Sequence, residues 1–198
     1  TVGAWNYNGI SWTSQHRYLV AAQATDLATN QQNSYTPGTS SNTFTYVTSA
    51  DAPVVVVSNP SQHRQNNLLS GGLTTIAGTA AVTLPNTIAL VHVRVKQAEE
   101  LLYYWNWNAI PPAFDPVNQA LAWTTATYSS DWTAWTLSSA VALVNGRPYI
   151  IEARAKDPAG NFSAIYSTTV IYDLSAPLTS VGFPSNGSFI NSLSLTSG

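Results

Sequence analysis

The stretch G-R-P-Y-I-I-E-A-R-A-K-D-P-A-G-N, residues 146–161, decides the fold. From Tyr149 to residue 156, one side of the pattern holds Tyr, Ile, Ala and Ala, and the other holds Ile, Glu, Arg and Lys. This is the period-two alternation of a half-buried β-strand. In the turn that follows, Asp157 and Asn161 can hydrogen-bond their own backbone, and Gly160 tolerates a positive φ. We therefore predict a strand that ends in an ordered turn. Tyr149, Asp157, Gly160 and Asn161 are predicted to have structural roles.

A shorter form of this stretch, Y-L-V-A-A-Q-A-T-D-L-A-T-N, occupies residues 18–30. Tyr18, Asp26 and Asn30 each precede their counterparts in the second copy by 131 residues. The first copy differs at Thr29, where the second copy has Gly. Further pairs recur in the same order: Ala4-Trp5 with Ala134-Trp135, Ala52-Pro53 with Ala176-Pro177, Pro60 with Pro184, and residues 73–78 with 193–198. Repetition of this kind predicts a tandem array.

The Ala-Pro dipeptides divide the chain into three pieces. Residues 53–176 are predicted to form one complete unit, residues 1–52 the C-terminal part of a preceding unit, and residues 177–198 the N-terminal part of a following unit. A piece that lacks half of its strands exposes open sheet edges and an apolar face, which folded proteins avoid. We therefore expect both terminal pieces to be completed by other copies or by adjoining repeats of a longer parent chain.

Strand-like segments run through the complete unit and are separated by Pro, Gly, Asn and Asp turns. Eight strands are predicted, at residues 54–57, 73–77, 91–96, 101–107, 120–127, 132–137, 149–156 and 165–172. No stretch has the period of an amphipathic helix, and at most one helical turn is expected, at 97–102. The sequence therefore predicts an all-β, antiparallel sandwich of two sheets.

The second copy, with Gly146, Tyr149, Asp157, Gly160 and Asn161, resembles the penultimate strand of bacterial immunoglobulin-like and fibronectin type III-like tandem repeats of large secreted surface proteins. The resemblance covers the last two strands of each unit well, the Ala-Pro junction moderately, and residues 82–130 hardly at all. It implies antiparallel immunoglobulin-like β-sandwich repeats and an extracellular or cell-surface location. It also implies a tyrosine corner, in which the tyrosine hydroxyl bonds back to a backbone group.

Charge is scarce in this chain, since Asp, Glu, Lys and Arg make up 8% of its residues and the net charge is −2. The seven basic residues are scattered along the sequence, so we predict no basic patch and exclude nucleic acid and anionic lipid as partners. Cys is absent, which excludes disulfides, thiolate metal sites and thiol catalysis. No uncharged apolar run approaches the length of about 18 residues that a membrane span needs, so no membrane insertion is expected.

Candidate metal ligands form no motif in the sequence. Calcium prefers six to eight oxygen ligands, and each repeated turn offers one carboxylate, Asp157 beside Asn161 and Asp26 beside Asn30. Turn formation explains these residues without a metal. The three histidines lack a partner at metal or triad spacing; His92 lies on the polar face of a predicted strand, whereas His16 and His63 lie in predicted loops.

Carboxylates suited to glycoside hydrolysis must converge in pairs. Glu99 and Glu100 are adjacent and would point apart on a strand, and Asp115, Asp131 and Asp173 lie beside turn or proline positions. We therefore expect no enzymatic activity, no catalytic residue and no cofactor.

Aromatic side chains are abundant in the complete unit. Wide rings fill a sandwich core or a contact between units, and exposed rings can also stack on sugars. Alternation places Trp105 and Trp107 on one face, so this pair can be part of the core, and both interpretations stay open. The residues concerned are Tyr103, Tyr104, Trp105, Trp107, Trp123, Tyr128, Trp132 and Trp135.

The leading hypothesis for function is a structural building block of an extracellular fibre, surface filament or giant adhesin. Such a unit would assemble through β-strand and domain–domain contacts with other copies or adjoining repeats. Repeated sandwiches joined at an Ala-Pro junction form a rod, since proline stiffens the joint, and low charge leaves little self-repulsion to oppose association. The alternative is a carbohydrate-binding β-sandwich module beside an enzyme outside this segment, with surface glycans as partners and Trp105 or Trp107 as stacking residues.

Overall fold

The computed structural model describes residues 4–61, 64–65, 73–100 and 102–198. Within them the protein is built from strands and one short 3-10 turn, Ser49–Asp51. No helix in these ranges is long and apolar enough to cross a membrane. The strands are β1 His16–Ala21, β2 Ser41–Tyr46, β3 Val54–Asn59, β4 Arg64–Gln65, β5 Leu73–Ala81, β6 Leu90–Gln97, β7 Tyr104–Asn106, β8 Ala113–Asp115, β9 Thr124–Thr125, β10 Thr127–Tyr128, β11 Trp135–Val141, β12 Pro148–Lys156 and β13 Tyr166–Tyr172.

Two sheets pack face to face in the complete unit. The first has the strand order β10-β11-β5-β3, and the second has the order β4-β13-β12-β6-β7-β8, with β9 also paired to β6. Apart from the parallel pair of β4 and β13, these pairs are antiparallel. In immunoglobulin-like domains the chain distributes its strands as A, B, E and D in one sheet and C, F and G in the other. The strands β3, β5, β11, β10 and β6, β12, β13 follow that distribution, so the predicted fold class, an antiparallel immunoglobulin-like β-sandwich, is confirmed.

The predicted alternation is present in β6 and β12, the central strands of the second sheet. They pair with Glu152 opposite Arg94 and Ile151 opposite Val95. The inward side of this pair is completely buried and consists of Val91, Val93, Val95, Tyr149, Ile151, Ala153 and Ala155. The outward side carries the polar and charged residues of both strands. One strand pair therefore supplies seven of the 19 buried residues of the core cluster as well as a polar surface.

Trp135 fills the centre of the core between the two sheets. It belongs to β11 and lies opposite Gly78 of β5 in the ladder. A Cβ added to Gly78 would lie 2.3 Å from Cζ2 of the Trp135 indole and 1.9 Å from the carbonyl oxygen of Val56. Because no side chain fits there, glycine at position 78 is what lets the indole pack against the β5 backbone.

Several predicted strand boundaries are wrong. Residues 120–127 do not form one strand, because Asn118 initiates a turn in which its side chain accepts the N–H of Ala120 and its carbonyl accepts the N–H of Leu121, each at 2.9 Å. The chain then crosses between the sheets, since β9 pairs with β6 and β10 pairs with β11. The strand predicted at 132–137 begins only at Trp135, after a turn at Asp131.

The region between β6 and β8 also differs from its prediction. The strand expected at 101–107 is shorter, Tyr104–Asn106, and Leu101 lies outside the described residues. The described part of 97–102 contains bends and a turn in place of the suggested helical turn. The strand Ala113–Asp115 was not predicted, because three residues are too few to show a period.

The terminal pieces contain few strands. Residues 4–52 hold the hairpin of β1 and β2. Residues 177–198 hold an isolated bridge between Phe183 and Ser197 and no strand. The stretch 193–198, which repeats residues 73–78 in sequence, therefore does not form the corresponding strand. In the complete unit that strand, β5, lies between β3 and β11, and a lone strand without such partners has no ladder to join.

Candidate functional site

The two copies of the repeated stretch form the same tyrosine corner. The hydroxyl of Tyr149 accepts a hydrogen bond from the backbone N–H of Val144 at 2.8 Å, and the hydroxyl of Tyr18 accepts one from the N–H of Thr13 at 2.8 Å. In each copy the donor stands five residues before the tyrosine. Burial raises the pKa of Tyr149, although the bond from Val144 acts in the opposite direction, so this hydroxyl stays neutral at physiological pH.

The turn after each of these strands is also built alike. Asp157 accepts hydrogen bonds from the backbone N–H and the side-chain amide of Asn161 at 2.8 and 2.9 Å. Asp26 accepts the same two bonds from Asn30, both at 2.9 Å. In each turn the amide presents its NH2 group, a donor, to the carboxylate. The carboxylates therefore serve as acceptors that close the turns.

These hydrogen bonds favour the ionised form of both carboxylates. Bonds from the side chain and backbone of Asn30 lower the pKa of Asp26. Burial alone would raise the pKa of Asp157, but hydrogen bonds from Asn161, Asn86 and Gly160 outweigh it and lower the pKa. Both turns are therefore held by a charged acceptor at neutral pH.

The residue before each asparagine adopts a left-handed conformation. Gly160 has φ of +97° and Thr29 has φ of +69°. Glycine reaches this region without strain, whereas a β-branched residue such as threonine meets steric conflict there. The first copy therefore keeps the shape of the turn with a residue that is poorly suited to it.

The two hairpins share a register but differ in what covers them. Tyr149 lies opposite Val170, and Tyr18 lies opposite Phe44. Val170 is buried beneath the first sheet, whereas Phe44 is 37% exposed. We call the apolar side of β1 and β2 the exposed hairpin face. It consists of Trp12, Tyr18, Val20 and Phe44, with the Trp12 ring edge-on to Tyr18 at 4.7 Å and to Phe44 at 5.2 Å.

Trp5, the repeat counterpart of Trp135, lies beside the exposed hairpin face. Trp135 is 0% exposed, whereas Trp5 is 67% exposed. A groove of about 750 Å³ runs between Trp5, Tyr7, Ile10 and Trp12 on one side and β1 on the other. In the complete unit, Tyr149, the counterpart of Tyr18, lies in one core cluster with residues of the first sheet.

A buried amide joins the N-terminal piece to the complete unit. The side-chain NH2 of Asn86 donates to Oδ2 of Asp157 at 3.0 Å and to the carbonyl oxygen of Asp51 at 3.3 Å. The Asp51 carboxylate in turn accepts hydrogen bonds from Ser14, Gln15 and Thr48, and these bonds lower its pKa. The end of the preceding piece and the repeated turn of the complete unit therefore share one donor.

A related contact closes the end of the complete unit. Ser14 donates to Asp51, and Asn145, which stands 131 residues after Ser14, donates its side-chain amide to Ser175 Oγ at 3.2 Å. Ser175 precedes the second Ala-Pro dipeptide as Asp51 precedes the first. A contact between the residue four positions before the corner tyrosine and the residue before the Ala-Pro dipeptide thus recurs with different side chains.

The outward side of β6 and β12 brings together charges that are far apart in the sequence. Four of the chain's seven basic residues lie there: Arg94, Lys96, Arg154 and Lys156. The Glu152 carboxylate pairs with the Arg94 guanidinium and, at 3.1 Å, with Lys96 Nζ. The prediction that the basic residues form no patch is wrong, because alternation and antiparallel register place two separate pairs on one face.

Aromatic rings lie between these cations. The guanidinium carbons of Arg94 and Arg154 each lie 4.3 Å from the centroid of Trp123. Arg154 also lies 4.2 Å from the centroid of Phe162, and Lys156 Nζ lies 5.2 Å from it. These five side chains, Arg94, Trp123, Arg154, Phe162 and Lys156, are called the cationic ladder. Attraction between cations and ring faces holds the charges in fixed positions.

The cationic ladder was missed at the level of sequence, although part of its signal is visible there. The pattern R-x-K at 94–96 and the pattern E-x-R-x-K at 152–156 each place their charges on one side of a strand. The two patterns lie side by side because β12 pairs with β6. Trp123 and Phe162 come from a loop and a turn, so no periodicity connects them to these strands.

Most of the aromatic residues that could stack on sugars are packing residues. Trp105 is 3% exposed and lies edge-on to Trp107 and Phe114. The indole N–H of Trp107 donates to the carbonyl oxygen of Ala122 at 3.0 Å. Tyr104 is buried beneath Arg94. The proposed stacking role of Trp105 is wrong, because its ring is enclosed.

Two other aromatic residues border a separate cleft. The rings of Tyr128 and Trp132 lie 4.3 Å apart, and Tyr128 is 51% exposed. The cleft beside them has a volume of about 420 Å³ and includes Asp131, whose carboxylate accepts the N–H of Thr133. Tyr103 is exposed elsewhere. Among the aromatic residues of the complete unit named as sugar-stacking candidates, Tyr128 and Trp132 therefore border a cleft large enough for a ligand.

The histidines and remaining carboxylates lie apart. His16 begins β1, so its prediction as a loop residue is wrong, while His92 lies on the outward side of β6 as predicted. His63 lies outside the described residues. Asp115 ends β8 and accepts the side-chain amide of Asn106 at 2.8 Å. Across the described ranges, no three His, Asp or Glu residues lie together in a way that could hold a metal ion.

Comparison with known proteins gives distant likenesses of fold. No protein-family model and no curated protein matches the chain. Among solved structures, CopC from Methylosinus trichosporium OB3b is 11% identical, with 64% of this chain and 99% of that chain covered and a TM-score of 0.38. The fibronectin(III)-like modules of Clostridium thermocellum CbhA are 14% identical, with coverage of 83% and 66% and a TM-score of 0.36. Murine CRIg is 10% identical, with coverage of 63% and 98% and a TM-score of 0.29.

These likenesses are too distant to assign a family or a function. The class of the protein follows from its own strand order and packing, which are those of an immunoglobulin-like β-sandwich module. Beside that module, the chain carries a second copy of the module's last hairpin, with the same corner and turn bonds.

Proposed function

We propose that the protein is a structural building block of an extracellular fibre, surface filament or giant adhesin, and that it has no catalytic role. The observation that carries this proposal is the hairpin that occurs twice, covered by a sheet at β12 and β13 and uncovered at β1 and β2. The apolar side of the uncovered hairpin would be stabilised by a sheet of the kind that covers its copy. Neighbouring units of one kind can supply it.

The proposed cover is a set of strands equivalent to β3, β5 and β11, provided by another copy or by an adjoining repeat. In the complete unit, these strands bury the side of β12 and β13 that carries Tyr149 and Val170. Trp5 stands beside the exposed hairpin face as the counterpart of Trp135, which completes the core in the covered copy. Burying this face would stabilise a contact by about 25 cal/mol for each Å² of apolar surface removed from water.

The junction supports a rod of units in series. Asn86 bonds both the carbonyl oxygen of Asp51 and the carboxylate of Asp157, and Ala52-Pro53 follows at once. Proline restricts the joint, and a shared buried donor fixes the end of one piece against the turn of the next. Low charge adds little repulsion between units.

Association of the purified chain tests this proposal. We expect sedimentation velocity to show oligomers that grow with concentration, and electron microscopy to show filaments with an axial repeat. The variant Val20→Asp places a charge on the exposed hairpin face and should abolish association, whereas Thr43→Asp, on the opposite side of the same hairpin, should leave it intact. A monomer at every concentration, with β1 and β2 protected from hydrogen exchange by their own chain, would contradict the proposal.

A carbohydrate-binding module is the second candidate function, and one observation favours it: the exposed Tyr128 and the half-buried Trp132 lie beside a cleft of about 420 Å³. Aromatic rings beside a carboxylate suit the apolar face and hydroxyl groups of a sugar. A screen of neutral oligosaccharides tests it, with Tyr128→Ala expected to lose binding and Tyr103→Ala as the matched control. Equal binding by both variants, or none by the parent protein, would count against this function.

A further inference from the structure

The end of the cationic ladder formed by Arg154 and Lys156 differs from its other end. Arg94 is buried and pairs with Glu152, which also binds Lys96. Arg154 and Lys156 have no carboxylate within ion-pair distance among the described residues. At one end of this sheet face two cations therefore share one carboxylate, and at the other end two cations have none.

The unneutralised cations are held beside accessible aromatic surface. The Arg154 guanidinium lies against the rings of Trp123 and Phe162, and Lys156 Nζ lies over the Phe162 ring, 5.2 Å from its centroid. Phe162 is 41% exposed. A guanidinium packed against two rings loses little freedom when it binds an anion, because its position is already fixed. The Nε atom of Arg154 is buried and has no hydrogen-bond partner.

The local electrostatic field at this end is positive. Burial, with added repulsion from Arg154 and Lys156, lowers the pKa of His92. Burial, with added repulsion from Arg94, lowers the pKa of Arg154. Burial disfavours a charge of either sign, whereas the repulsion that these cations exert on a further positive charge becomes attraction for an anion.

The size of the surface limits the kind of anion it suits. Arg154 and Lys156 are two residues apart on one side of β12, a separation of about 6.8 Å along an extended strand. Nucleic acid-binding surfaces neutralise a longer row of phosphates, commonly about six to ten. Two cations beside two rings suit a polymer with isolated carboxylates and sugar rings that have an apolar side.

We propose that Arg154, Lys156 and Phe162 form a binding surface for an acidic polysaccharide, in which the cations bind the sugar carboxylates and the Phe162 ring packs against the sugar. This surface lies on the outward side of the second sheet and shares no residue with the exposed hairpin face. The proposal goes beyond the structural role and does not depend on assembly.

The test measures binding of the whole chain to four polymers by isothermal titration calorimetry. The probes are polygalacturonate, its methyl ester as the uncharged form of the same polymer, polyglutamate and a single-stranded DNA oligonucleotide. We expect polygalacturonate to bind most tightly, with affinity that falls as salt rises, and the methyl ester to bind at least about tenfold more weakly. Binding to polyglutamate or to DNA that equals or exceeds binding to polygalacturonate would overturn the proposal, as would no binding at all.

Two variants and one control locate the site. Lys156→Gln should weaken polygalacturonate binding about tenfold, the effect of one charge-assisted hydrogen bond, and Phe162→Ala should weaken it while leaving the salt dependence unchanged. Arg17→Gln makes the same change of net charge on β1, at the other end of the chain, and should bind as the parent protein does. An equal loss in Arg17→Gln and Lys156→Gln would show attraction to net charge alone. Unchanged melting temperatures establish that the variants are folded.

Discussion

The hairpin of β1 and β2 and the hairpin of β12 and β13 have the same internal hydrogen bonds but different surroundings. Both have a tyrosine hydroxyl bonded to the N–H five residues earlier and an aspartate that closes the following turn. One lies in the core of a sandwich, and the other carries an exposed apolar side. Local hydrogen bonds therefore specify the hairpin, whereas burial depends on a partner sheet.

The contribution of each shared residue to the free energy of unfolding should be larger in the buried copy than in the exposed copy. A hydrogen bond or ring in water competes with solvation, whereas the same group in a core loses its partners outright when it is removed. Matched substitutions in the two copies measure the effect of the covering sheet separately from the effect of the residue.

The largest difference is expected between the two repeated tryptophans. Trp135→Ala should destabilise the complete unit by about 3–5 kcal/mol, because it removes a fully buried ring and leaves a cavity between the sheets. Trp5→Ala should change stability by less than about 0.5 kcal/mol, since most of that ring is in water. Urea denaturation followed by circular dichroism measures both, at a dilution at which sedimentation shows the chain to be monomeric. Equal losses would mean that Trp5 is covered in solution, and would break the comparison.

The second difference concerns the aspartates of the two turns. Asp157→Ala should cost about 1–3 kcal/mol, because it removes the carboxylate that accepts from the buried amide of Asn86 and from the half-buried amide of Asn161. Asp26→Ala should cost less, since its donors are exposed to water. The denaturation midpoints of the two variants measure both losses of stability. A larger loss in Asp26→Ala would contradict a stabilising role for the bond from Asn86 to Asp157 at the junction.

Acid should act through the same carboxylate. The pKa of Asp157 is lowered in the folded state by its hydrogen bonds, so its contribution to stability is complete above the unfolded value of about 3.9 and is lost as pH falls through the lower folded value. We expect the melting temperature of the parent protein to fall more steeply than that of Asp157→Ala below a pH of about 4. Parallel pH profiles would show that this carboxylate does not link folding to protonation.

A smaller difference is expected at the tyrosine corners. Tyr149→Phe removes one hydrogen bond from a buried hydroxyl and should cost about 1 kcal/mol. Tyr18→Phe should cost a few tenths of that amount, because water can replace the lost partner of Thr13. Thermal melts of both variants provide the measurement. An unchanged melting temperature for Tyr149→Phe would argue against a stabilising corner.

The smallest expected effect has the opposite sign. Thr29→Gly relieves a β-branched residue at φ of +69° and should stabilise the first turn by about 0.5 kcal/mol, after the greater freedom of glycine in the unfolded chain is counted. Gly160→Thr makes the reverse change in the second copy and should destabilise it. Local hydrogen exchange at Asn30 and Asn161 reports each turn separately, and slower exchange in Gly160→Thr would contradict this account.

The sequence predicted those parts of the fold that have their own local signal. The alternation in β6 and β12 and the repeated Tyr, Asp and Asn gave the central strands, the corner and the turn, since each depends on residues close together in the chain. The boundaries at 120–127 and 132–137 were wrong because Asn118 and Asp131 start turns. Side-chain hydrogen bonds to the backbone override strand preference over such short distances.

By itself, the sequence determined the fold class and the duplication of the hairpin, because period-two burial and turn chemistry are properties of neighbouring residues. Only the tertiary structure decided that Trp135 is enclosed against Gly78 and that Arg94 and Glu152 are partners. It also decided that Trp123 and Phe162 lie beside Arg154. Each of these contacts joins residues from different strands or loops, and the register and packing that bring them together depend on the whole sandwich.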